Sequence, residues 1–117
     1  NSSAASDVYK RQILQALKNS GLKLSQMEVL ELNEAFAAQS LGVIHELSQK
    51  CDLKKEEILA RCNPNGGAIA LGHPVGASGN RIIVTLLHEM IKAGNKLGLA
   101  SLCIGGGMGT AVILKRD

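Results

Sequence analysis

From Asn63 to Asn80 this chain carries no charged side chain, and the middle of that stretch reads GGAIALGHPVGASG, Gly66 to Gly79. No other segment limits the fold as strongly. Glycine and proline at this density favour neither a helix nor a strand. Pro74 disfavours the α region at His73, so the histidine is held extended. Residues 62–79 are therefore read as a long loop whose backbone approaches another backbone or a ligand closely.

The remainder must supply the regular structure. At 117 residues the chain is one domain or part of one. A hydrophobic share of 45% against 20% charged is a globular composition. Aromatics are only 2%, so the core is built from Ala, Val, Ile, Leu and Met. The net charge of +3 is scattered, and stacking aromatics are lacking, which argues against nucleic-acid binding. A mildly basic surface suits an anionic small molecule. The three cysteines, Cys51, Cys62 and Cys103, are odd in number and lack CxxC spacing. This argues against a disulfide framework and against a metal site, and for a reducing, cytoplasmic setting. No apolar run is long enough to span a bilayer, and no apolar signal region opens the chain.

The opening NSSAASDVYKRQ is polar and patternless, so residues 1–11 are left as an unassigned leader. Ile13, Leu14 and Leu17 at helical spacing, with Gly21 after them, predict a helix over residues 9–20. Val29–Leu32 reads as a short strand. Asn33 then stands as an N-cap, with Glu34 in the first turn of a helix running to about Gln49. Phe36, Val43 and Leu47 lie on one side of it and Ala37, Leu41 and Ile44 on another, which predicts a helix buried between layers. Asp52 is a candidate cap for a short, solvated helix through Ala60. Ile82, Ile83, Leu86, Leu87, Met90 and Ile91 predict an amphipathic helix from about Ser78 to Gly94. Gly98–Ile104 and Thr110–Leu114 read as strands joined by a glycine turn. The pattern is α/β, a mixed sheet layered with helices.

Three polar positions sit among apolar or glycine neighbours. Asn33 either caps its helix or orients a water or a substrate oxygen at the helix start. His73, with small residues beside its ring, has the setting of a general base near its reference pKa of about 6.5. Cys103 ends a strand just before Ile104-Gly105-Gly106-Gly107. Glycine there lets backbone N–H groups point into a site and receive developing oxyanion charge. Without that context Cys103 would read as a small buried hydrophobe. Cys51, Cys62, His45 and His88 have no comparable surroundings. Neither glycine cluster fits a phosphate loop or a dinucleotide fingerprint.

Three segments together resemble the thiolase family: NEAFAAQ (Asn33 to Gln39), NGGAIALGHPVGASGNRI (Asn65 to Ile82) and CIGGGMG (Cys103 to Gly109). Their order and spacing match the C-terminal domain of that family over roughly residues 12–117, and the wording is closest to its biosynthetic branch. The resemblance implies a thiolase-like layered fold and the condensation of two acetyl-CoA molecules to acetoacetyl-CoA and CoA, or the reverse thiolysis. Coenzyme A thioesters are then substrates, and no cofactor is implied. By the same resemblance His73 is the base that activates a nucleophilic cysteine and donates to the second thioester's oxygen. Asn33 holds a water in that oxyanion hole. Cys103 is the acid/base at the α-carbon. Gly105 offers its N–H to the other oxyanion hole, and Glu34 supports the site. The family's nucleophilic cysteine lies in an N-terminal domain that nothing here matches. The expectation is a C-terminal fragment, inactive alone, whose partners are the N-terminal domain and, in the full enzyme, further copies as a homodimer or homotetramer. Other readings are a degradative thiolase of longer 3-ketoacyl chains, a non-catalytic acyl-CoA-binding module, and a structural fragment without a site.

Overall fold

In a computed structural model the chain is described over residues 2–33, 37–51, 53–67, 71, 77–105 and 108–117, with side chains described from residue 10 onward except at 37–40, 103–105 and 108. The elements in order are α1 (Ser2–Ser20), a 3-10 turn (Leu24–Gln26), β1 (Val29–Leu32), α2 (Ala37–Lys50), α3 (Lys55–Arg61), α4 (Ser78–Ala93), β2 (Leu97–Gly105) and β3 (Met108–Lys115). The α/β class read from the sequence stands.

The sheet has the order β1-β2-β3. β1 runs parallel to β2, with Val29 opposite Gly98 and Leu32 opposite Ser101. β3 runs antiparallel to β2, from Leu97 opposite Lys115 to Gly105 opposite Met108. All four residues of β1 are buried. Alternation along the strands sorts the core into two clusters, one per face. Leu30, Leu32 and Leu99 pack with Ile13, Val43, Leu47 and Ile58 of α1, α2 and α3. Val29 and Ala100 pack with Ile82, Leu86 and Met90 of α4. Helices thus cover both faces of the sheet.

The ends of β1 are held by specific bonds. The Glu28 N–H donates to the Leu97 carbonyl at 3.0 Å. The Glu28 carboxylate accepts from the N–H groups of Lys96 at 2.8 Å and Leu97 at 3.2 Å. On the outer edge, Cys62 forms a parallel bridge with Leu30. Arg61 reaches back to donate to the carbonyls of Ser25 at 3.1 Å and Met27 at 3.0 Å, tying α3 to the turn before β1.

Three expectations change. The first helix is longer than 9–20 and begins at Ser2, so the polar opening is helical. Helix α2 is not buried all round: Val43, Ile44 and Leu47 are inside, whereas Leu41 is 51% exposed. One apolar stripe suffices to seat a helix that lies on the outside of a sheet. The short helix starts at Lys55, with Lys54 at its N-cap position; Asp52 lies outside the described residues. Helix α4 ends as read, on Gly94 in the left-handed region at φ 73°. Its Leu87 and Ile91, however, are exposed beside Val84, forming a second apolar stripe that nothing among the described residues covers.

Helix α4 lies so close to the sheet that a Cβ on Gly98 would come within 2.8 Å of Met90 Sδ, 2.9 Å of Leu86 Cδ1 and 3.2 Å of Val29 Cγ1. All three side chains are buried and have no free direction to move. Gly98→Ala is expected to destabilise the fold by about 1–3 kcal/mol, read as a lower urea midpoint with unchanged slope.

Candidate active site

The described part of the site forms where β1 and β2 end. Asn33 follows β1 directly, is 1% exposed, and donates its N–H to the Ser101 carbonyl at 3.0 Å. The parallel register, with Leu32 opposite Ser101, therefore brings Asn33 level with Leu102. Cys103 follows on the same strand, paired with Gly109, and the pairing shifts register between Cys103 and Gly105. Such a bulge re-aims the backbone locally and commonly borders active sites. The Ser101 hydroxyl donates to the Thr110 carbonyl at 2.9 Å, which fixes β3 beside this strand end.

Helix α4 starts at the same place. A Cβ on Gly79 would touch Leu102 Cδ2 at 3.4 Å, and Ser78, the first helical residue, is 1% exposed. The carboxyl ends of two parallel strands and a helix N-terminus therefore converge, the arrangement at which α/β folds bind ligands. Backbone N–H groups and the positive end of the helix dipole favour negative charge there.

The register sets Asn33 level with Leu102, one residue before Cys103 and three before Gly105 on β2. His73 and Glu34 lie outside the described residues, as does the Cys103 side chain. His45 and His88 are exposed on α2 and α4. Cys51 is a free thiol whose pKa burial pushes up, the reverse of what activates a nucleophile. Among the described residues no group of three or more His, Cys, Asp or Glu could hold a metal ion. Nor is any helix among them long and apolar enough to cross a membrane.

Two residues of the site were not singled out from the sequence. Glu31 is fully buried in β1 on the strand face that meets α4, the same face as Asn33. The alternation of Val29-Leu30-Glu31-Leu32 carries that signal, since a carboxylate in a four-residue buried strand has no place in a purely apolar core. Asn63 lies on the other side of β1. Its Oδ1 accepts from the Leu32 N–H and its Nδ2 donates to the Leu32 carbonyl, both at 2.9 Å. These partners are 31 positions apart, so no local pattern discloses them.

Comparison with known proteins agrees with this geometry. The family model described as "Thiolase, C-terminal domain" matches residues 8–116. An acetyl-CoA acetyltransferase of Pseudomonas aeruginosa is 58% identical over 102 residues, which cover 87% of this chain and 24% of that protein. The solved structure of an acetyl-CoA acetyltransferase from Syntrophomonas wolfei superposes with a TM-score of 0.84 at 42% identity, over 92% of this chain and 27% of the other. The crystal structure of human mitochondrial 3-ketoacyl-CoA thiolase in complex with CoA gives a TM-score of 0.84 at 44% identity, over 100% and 28%. The chain spans about a quarter of the length of the curated relatives it matches. With its sheet order, its strand-end site and a match that runs nearly end to end, the chain belongs to the thiolase family.

Proposed function

We propose that this chain is the C-terminal catalytic part of an acetyl-CoA acetyltransferase, which condenses two acetyl-CoA molecules to acetoacetyl-CoA and CoA or runs the reverse thiolysis. The observation that carries this reading is the buried Asn33 beside the strand that bears Cys103 and Gly105, at the end where α4 begins. The names of relatives at 54–58% identity support the substrate class.

An α-proton of a thioester is weakly acidic, so the enolate must be stabilised where it forms. Fixed donors in a site closed to water do this better than water, which would have to reorganise. In this reading His73 takes the proton of a nucleophilic cysteine supplied by the remainder of the enzyme. That sulfur then attacks the first acetyl-CoA, and CoA leaves with the proton that His73 took up. Cys103 removes the α-proton of the second acetyl-CoA. A water on Asn33, together with His73, holds the resulting enolate oxygen. The enolate carbon attacks the acyl-enzyme carbonyl, whose oxygen takes the Gly105 N–H. Collapse releases acetoacetyl-CoA and the nucleophilic cysteine, whose sulfur takes the proton that Cys103 removed. Glu34 supports this site, no cofactor takes part, and the coenzyme A thioesters are substrates.

The uncovered stripe of Val84, Leu87 and Ile91 on α4 is assigned to the remainder of the thiolase polypeptide, which the relatives carry over about three quarters of their length. Exposed apolar patches of this kind mark interfaces. The full enzyme is proposed to assemble as a homodimer or homotetramer. An odd cysteine count without CxxC spacing supports a cytoplasmic setting.

The test joins residues 8–116 to the N-terminal region of the Pseudomonas aeruginosa relative. His73→Ala and Cys103→Ala are each expected to lower kcat by about 10²- to 10⁴-fold, with acyl-CoA binding retained. Unchanged rates would reject the catalytic reading, and a loss of rate accounted for wholly by weaker acyl-CoA binding would point to a binding module. The 117-residue chain alone is expected to show no turnover. Replacing Leu87 and Ile91 by Gln should reduce self-association of the isolated chain in light scattering and weaken assembly of the joined enzyme. If neither quantity moves, the stripe is not the interface.

A further inference from the structure

We propose that Asn63 is a positioning residue for Asn33, a role that rests on the catalytic reading of Asn33 above. Among the described residues β1 is an edge strand of the sheet, with no full strand on its outer side. The chain leaving α3 replaces one. Cys62 bridges Leu30, and the Asn63 N–H donates to the Leu30 carbonyl at 2.8 Å. The Asn63 side chain then extends this pairing by one step, occupying both backbone groups of Leu32 at 2.9 Å. A primary amide carries one donor and one acceptor side by side and so imitates a peptide group in a ladder. To present it, Asn63 adopts a left-handed backbone with φ 45°, a conformation that asparagine tolerates better than most residues.

The consequence falls on the next residue. Leu32 is the last residue of β1 and Asn33 follows it directly. Asn33 is bonded on the inner side to Ser101, and its preceding peptide is clamped on the outer side by Asn63. Without the clamp, the strand end is free to shift away from the sheet and take the Asn33 amide with it. Misplacing a group that orients a reacting oxygen costs rate more than binding.

The test is a double-mutant cycle in the joined full-length enzyme, with Asn33→Ala, Asn63→Gly and both together. Glycine accepts the left-handed backbone, so Asn63→Gly removes the amide without adding strain. Asn63→Gly is expected to lower kcat by about 10- to 100-fold, with KM for acetyl-CoA within about twofold. In the Asn33→Ala background it should lower kcat no further, because it acts through Asn33. Its effect on the melting temperature should be the same in both backgrounds, which separates stability from positioning. An unchanged kcat in Asn63→Gly, or losses that multiply in the double mutant, would overturn the proposal. Should Asn33→Ala alone keep its kcat, the assignment of Asn33 itself fails, a distinct result that withdraws the inference with it. If the Asn63→Gly enzyme does not fold, Asn63→Asp takes its place in the cycle. It keeps an acceptor for the Leu32 N–H and sets a carboxylate oxygen against the Leu32 carbonyl.

Discussion

The four residues of β1, all of them out of contact with water, pair in parallel with β2 and divide the interior into two apolar clusters. The other elements take their places from this pair. α1, α2 and α3 need Leu30, Leu32 and Leu99 to close their side, and α4 needs Val29 and Ala100 to close the other. A parallel strand buried on both faces reads as a continuous apolar run. That run is broken here only by Glu31, on the face toward α4. A carboxylate inside such a strand is costly unless it is bonded or sits in a favourable field.

The same pairing builds the site. Because β1 and β2 are parallel, their carboxyl ends lie on one side of the sheet, and Asn33 comes next to the strand that carries Cys103 and Gly105. An antiparallel pair would have sent Asn33 to the opposite end. The register shift between Cys103 and Gly105 and the start of α4 border the same strand ends. Asn33 and the backbone of Cys103 and Gly105 are thus mounted on strand ends, while the packed sheet behind them supplies rigidity. This division is how a scaffold holds reacting groups within a fraction of an ångström.

Much of this was legible in the sequence, for reasons specific to each element. Helix α4 was plain because Ile82, Leu86 and Met90 repeat at its period and Gly94 stops it. β1 and both later strands were found within a residue or two at most ends. The start of α1 was not legible, because residues 2–9 have no apolar periodicity from which to read a helix. Helix α2 misled because apolar residues occur around its circumference while only one face packs. Asn33 and the Cys103–Gly105 segment could be selected from their apolar and glycine neighbours, and the first lies beside the strand that carries the second. Asn63 could not be selected. Its meaning lies in bonds to Leu32, which is remote in sequence, and an asparagine before a proline reads only as a turn.

The distance along the chain between the paired strands has a consequence for how the molecule comes into being. Glu28, just ahead of β1, bonds to residues 68 and 69 positions later. During synthesis β1 must therefore wait, unpaired on its inner side, until α2, α3, α4 and the glycine-rich stretch have been made. Contacts this remote close late and slowly, since the entropy of the intervening loop is lost before any pairing compensates for it. In that interval the short, largely apolar edge is exposed to the wrong neighbours. Cys62 and Asn63 reach the outer side of β1 well before β2 exists, and so shield half of the nascent strand while it waits.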